Sequence, residues 1–225
     1  MRFFREAESR ERTPVVLKLL AVAYHAAGQH RLFTRKMMEA QRLDNTDFAV
    51  YYYLGRHYQA DLGDCGRASS YFRDAIQRNP AHARSHYYLG ACFESSRNLD
   101  LATKHFEEAI RLSKQSGDGF SLPWQGMARV RFLEQDYEGG LDFAQRAVQL
   151  EPASPAARKL LARALQALGK TDEAVKEWEA AVQADGSDSA VFYQLYRAHS
   201  AAGRMHEAAD ALSRYKAILD VYGAN

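Results

Sequence analysis

The stretch that decides the fold is Tyr87 to Ile110, YYLGACFESSRNLDLATKHFEEAI. Its Leu89-Gly90 pair is followed by Phe93 and then, beyond the polar run Ser95 to Asp100, by Ala102, Phe106 and Ala109. Apolar or small residues recurring at steps of three and four on both sides of a polar break are what two amphipathic helices joined by a tight turn produce. The stretch reads as a helical hairpin.

The same hairpin returns along the chain. Leu89-Gly90 has relatives at Leu20-Ala21, Leu54-Gly55, Met127-Ala128 and Leu161-Ala162, and neighbouring pairs are separated by 34, 35, 38 and 34 residues. Small residues follow each pair in phase. Ala68, Ala102, Gly140, Ala174 and Ala208 fill one position, and Ala40, Ala75, Ala109, Ala147 and Ala181 fill a second. Helices that cross at short axial distance need a side chain no larger than a methyl group at the contact. Met37, Phe72, Phe106 and Trp178 are the bulky residues expected to fill the space that remains.

This pattern resembles the tetratricopeptide repeat, with its aromatic residue, Leu-Gly pair, Tyr, and then Ala, Phe, Ala and a closing Pro. Tyr24, Tyr58 and Phe93 stand at the Tyr position, and Pro80 and Pro152 at the closing one. The resemblance implies an all-α protein, a right-handed α-α superhelix of about six hairpins. Its expected units are 14–47, 48–82, 83–116, 121–154, 155–188 and 189–222, with a partial repeat or cap at 1–13 and a tail at 223–225. The insertion Gly117 to Phe120 breaks the phase once and offers a hinge between two blocks of three units.

In such proteins the inner groove is lined from the first helix of each unit, at its second, fifth, ninth, twelfth and thirteenth residues. Carried onto this sequence, the ninth position holds Arg56, Arg129, Arg163 and Arg197, with Val22 and Ala91 in the other two units. The fifth holds Lys18, Tyr52, Tyr87, Gln125, Lys159 and Tyr193, and the second adds Arg84. Seven cations then face the groove against one anion, Glu94. Arginine binds carboxylates bidentately and tyrosine offers a flat apolar face with a polar tip, so the expected partner is an acidic or extended peptide segment. The family's terminal-carboxylate clamp is only begun, because Lys18 matches it but Val22 stands where it has Asn.

The global numbers agree with a binding scaffold. Thirty basic and 28 acidic side chains leave a formal net charge of +2, which supplies no global field toward nucleic acid. Two cysteines are too few for a disulfide framework and fit a cytoplasmic, reducing location. The apolar run Pro14 to Tyr24 is interrupted by Lys18 and is too short to cross a membrane. His82 and His86, four residues apart, form a weak metal pair without a third ligand. No phosphate loop, dinucleotide, nucleophile-elbow or zinc-protease motif is present, so neither cofactor nor enzymatic activity is expected. Two other readings stay open: a repeat region belonging to a larger enzyme such as a glycosyltransferase, and an RNA-binding helical repeat. Phe3, Phe4 and the final residues VYGAN are candidates for end-to-end self-association.

Overall fold

The computed structural model describes residues 12–223; the expected cap lies outside them except for Arg12 and Thr13, as do Phe3 and Phe4. The described residues form twelve α-helices and no strand. In chain order these are α1 (Pro14–Ala26), α2 (His30–Leu43), α3 (Phe48–Ala60), α4 (Cys65–Arg78), α5 (Ala83–Ser95), α6 (Leu99–Ser116), α7 (Leu122–Leu133), α8 (Tyr137–Leu150), α9 (Pro155–Ala167), α10 (Thr171–Ala184), α11 (Ser189–Ala201) and α12 (Met205–Gly223). None is long and apolar enough to cross a membrane. The chain divides into two compact units between Leu112 and Ser113, within α6.

Local chemistry explains where the helices begin and turn. Asp47, Asp64, Asp136, Ser154 and Asp188 are N-caps whose side chains accept a hydrogen bond from a backbone N–H of the first turn. Within each hairpin one residue takes a positive φ: Gly28, Gly63, Arg97, Gln135, Gly169 and Gly203. Arg97 (φ 61°) and Gln135 (φ 64°) hold this left-handed conformation without the freedom of glycine.

In the first unit, Leu17, Leu20, Phe33, Met37, Val50 and Leu54 form one apolar cluster, and Tyr58, Ala68, Phe72, Leu89 and Cys92 form another. The Leu-Gly pair shows its purpose at Gly55 and Gly90. A Cβ on Gly55 would lie 2.7 Å from the Phe72 ring, and one on Gly90 would lie 2.9 Å from Phe106. Phe72 and Phe106 are fully buried against these glycines; removing each ring from water contributes about 1.5–3 kcal/mol.

The core of the second unit gathers Phe132, Leu161, Leu165, Trp178, Val191, Phe192 and Leu195 around Ala128, Ala144, Ala162, Ala174 and Ala181. Gly140 plays the glycine's part in reverse, since a Cβ there would lie 2.2 Å from Phe132 on the preceding helix. The insertion is locally ordered: Asp118 accepts from Ser113 Oγ (2.6 Å) and from the Phe120 backbone N–H (3.1 Å), and Phe120 is buried.

Candidate peptide-binding surface

The fifth-position residues do structural work that their spacing alone did not reveal. Lys18 pairs with Asp47, the N-cap of α3, and Lys159 Nζ lies 2.8 Å from Asp188 Oδ2, the N-cap of α11. In both cases the partner is 29 residues further along the chain. Tyr52 makes the analogous contact without charge, its ring edge-on to His82, the N-cap residue of α5, at 4.8 Å between centroids. These three fifth-position side chains thus reach the start of the next first helix. Carboxylates of this chain thus already neutralise two of the seven cations expected in the groove, both of them lysines.

Two further expected groove residues are buried. Tyr87 is 8% exposed and packs on Tyr88 and Phe106, at 4.8 and 5.7 Å between centroids. Gln125 is 2% exposed and donates its amide to Ser121 Oγ at 3.2 Å. Both are buried at this position, Tyr87 against aromatic rings and Gln125 through its bond to Ser121. Arg84 is exposed on α5, and Arg129 is half-buried on α7.

The ninth-position arginines divide into two kinds. In the first unit the Arg56 guanidinium lies over the Tyr88 ring at 4.1 Å and donates to the Tyr52 hydroxyl at 3.3 Å. Burial pushes the Tyr88 phenol up to about 12, despite the opposing influence of Arg56. A cation held against desolvated aromatic faces has much of its binding capacity spent within the fold.

In the second unit Arg163 and Arg197 are exposed and line a common cavity of about 620 Å³ with Tyr137, Gln166, Trp178 and Gln194. Arg163 rests over Phe132, with its guanidinium carbon 5.2 Å from the ring centroid, and also lines the cavity. Trp178 Nε1 is a buried donor with no hydrogen-bond acceptor. Close by on α11, exposed Tyr193 packs against Tyr215 and Tyr196, at 5.4 and 6.1 Å between centroids. Two guanidinium groups and two side-chain amides can recognise a chain rich in carboxylate and carbonyl oxygens.

The histidines singled out by spacing each pack separately. His82 Nδ1 lies 2.8 Å from Ser85 Oγ, whereas His86 faces His105, with 3.3 Å between their Nδ1 atoms, and the Pro80 carbonyl. Burial holds His82 and His86 below the usual imidazole range and takes His105 down to about 4. Cys92 is buried, which raises its thiol well above the usual range, and Cys65 lies beside it. A different group escaped the spacing argument: His25, His30, His57 and Asp61 converge in the first unit. Its visible signals were a His-Asp pair four residues apart in 57–61 and two histidines flanking Gly28.

Two tetratricopeptide repeat models match the chain, over residues 49–117 and 131–192. Together they cover more than half of it, and the chain belongs to the tetratricopeptide repeat family. It is 28% identical over 172 residues to anaphase-promoting complex subunit 3 of Schizosaccharomyces pombe, covering 76% of this chain and 25% of that protein. It is 30% identical over 91 residues to the Sol locus transcriptional repressor of Clostridium acetobutylicum, covering 40% of this chain and 27% of that one. The chain therefore spans about a quarter of the length of the curated relatives it matches.

Solved structures share the fold. Against the Cut9–Hcn1 hetero-tetramer of the APC/C, the TM-score is 0.82 at 16% identity, over 96% of this chain and 42% of that one. PilF of Pseudomonas aeruginosa gives 0.80 at 15%, over 96% and 95%. YrrB, described as having an unusual peptide-binding site, gives 0.60 at 20%, over 81% and 91%.

Proposed function

We propose that the protein is a non-catalytic interaction scaffold whose second unit binds an acidic, extended peptide segment of a partner protein. The observation that carries this reading is the cavity lined by the exposed Arg163 and Arg197, with Gln166 and Gln194 beside them. Carboxylates of the peptide meet the two guanidinium groups, and a backbone carbonyl accepts from the amide of Gln166 or Gln194. The relatives support the class of function: one belongs to an assembly of several chains, and the YrrB structure carries a peptide-binding site.

The scale of binding follows from few, partly solvated contacts. Charge-assisted hydrogen bonds contribute about 1.5–3 kcal/mol each when shielded from water. Three or four of them, less the cost of ordering the peptide, give micromolar affinity, about −8 kcal/mol. Affinity falls with added salt because the contacts are charged and open to solvent.

A peptide library displayed on phage and selected on the wild-type protein tests the reading. Enriched sequences should be rich in Asp and Glu, and a synthetic copy should lose binding to Arg163→Glu/Arg197→Glu while the circular dichroism spectrum stays unchanged. Enrichment of neutral or basic sequences, or equal binding by the folded double variant, would contradict it.

A further inference from the structure

Three helix ends meet in the first unit. His25 lies in the last turn of α1, His30 is the first residue of α2, and His57 with Asp61 closes α3, Asp61 being its C-cap. Gly28, at φ 69°, makes the turn that brings His25 and His30 to the same side. One possible ligand atom from each of the four residues lies within 4.8 Å of every other. We propose that His25, His30, His57 and Asp61 form a binding site for a divalent transition metal, Zn²⁺ by ligand chemistry, that fastens the α1–α2 hairpin to α3.

The distances separate this reading from simple hydrogen bonding. Asp61 Oδ2 lies 2.7 Å from His57 Nδ1, 3.4 Å from His25 Nδ1 and 3.6 Å from His30 Nδ1. Only the first is a well-formed hydrogen bond. Tetrahedral zinc, bound at about 2.0–2.1 Å from nitrogen and oxygen, separates its ligand atoms by about 3.3 Å. The two longer distances are close to that edge, and the shortest has only to open by about half an ångström.

The surroundings suit a fixed site. His57 is 3% exposed, and Phe33 backs both His57 and His25, with centroids 4.8 and 5.2 Å apart. The cavity beside the four residues holds about 150 Å³ and opens past Val22 and Tyr53. Arg56 also lines it, but its guanidinium is engaged by the Tyr52 hydroxyl and the Tyr88 ring. Three imidazole nitrogens and one carboxylate oxygen are ligands of the kind a divalent transition metal takes. Four protein ligands complete a tetrahedron, so the role is structural rather than catalytic. Imidazole nitrogen with carboxylate oxygen selects zinc, copper or nickel over magnesium and calcium, and a tetrahedral arrangement favours zinc.

The test uses the untagged full chain, stripped with a chelator and titrated with Zn²⁺ by calorimetry, with Co²⁺ as a spectroscopic substitute. The expected result is one ion per chain, visible absorption bands of tetrahedral Co²⁺, and a thermal midpoint that rises with Zn²⁺ and returns on chelation. His57 is buried and its removal could unfold the unit, so the informative variants are at the more exposed imidazoles. His25→Ala and His30→Ala should fold without metal yet bind Zn²⁺ at least about 100-fold more weakly, whereas exposed His206→Ala should bind as the wild type. Failure of the wild type to bind stoichiometrically at micromolar Zn²⁺ would overturn the site, as would binding that survives His25→Ala and His30→Ala. In either case the four residues form only a hydrogen-bonded cluster.

Discussion

Arg56 in the first unit and Arg163 in the second occupy the same repeat position with opposite consequences. Arg56 is folded onto Tyr88 and Tyr52, so its charge stabilises the unit; Arg163, joined by Arg197, faces an open cavity. Neighbouring aromatic residues decide the difference. The first unit places Tyr88 4.1 Å from the half-buried Arg56, whereas in the second Arg163 meets Phe132 at 5.2 Å and stays exposed. Equivalent positions in a repeat therefore inherit a location but not a role.

The largest effect is expected in the core of the first unit. Phe72→Ala should cost the first unit about 3–5 kcal/mol, as removal of a fully buried ring does. Native-state hydrogen exchange should show protection lost in α3 to α5 first, with the amides of α9 to α11 retaining theirs.

Charge reversal at the arginines comes next. Arg56→Glu should lower stability by about 1–2 kcal/mol through loss of its aromatic stacking. Arg163→Glu/Arg197→Glu should change the unfolding free energy by less than about 0.5 kcal/mol, since exposed positions tolerate substitution. Equal destabilisation in the two urea titrations would erase the distinction.

Acid should act on the first unit through His105. Its pKa in the folded state, about 4, lies below its ordinary value because burial disfavours the imidazolium. The unfolded chain then binds more protons as pH falls from about 6.5 to 4, so stability declines across that window and levels off below it. His105→Gln should flatten that decline in thermal melts between pH 7 and 4, and an unchanged profile would show that another group governs it.

Much of this architecture could be read before any coordinates. The Leu-Gly pairs and phased alanines announced the hairpins because each repeat imposes the same close crossing on the chain. The binding surface was less legible. Lys18 and Lys159 looked like groove cations, yet each meets an N-cap aspartate that the linear pattern assigns to the next hairpin. Tyr87 and Gln125 shared the register of their more exposed counterparts, but burial depends on which side chains pack around each position, which a repeat pattern does not encode. The histidine cluster stayed hidden because its members come from three helices and converge only once the first hairpin docks on α3.

The smallest effect concerns the turns. Arg97→Gly in the first unit and Gln135→Gly in the second should each stabilise by up to about 1 kcal/mol, by relieving a left-handed conformation that glycine adopts freely. Thermal midpoints of the two variants would show whether both hairpin turns carry the same strain.

The most direct test of the central claim is an NMR titration of the isotope-labelled protein with an acid-rich peptide taken from the library selection. The account predicts that shifts concentrate at Arg163, Gln166, Gln194, Arg197 and the Trp178 indole N–H, and weaken as salt is added. Shifts gathered instead around Arg56 and Tyr88, or none at peptide concentrations well above micromolar, would contradict it.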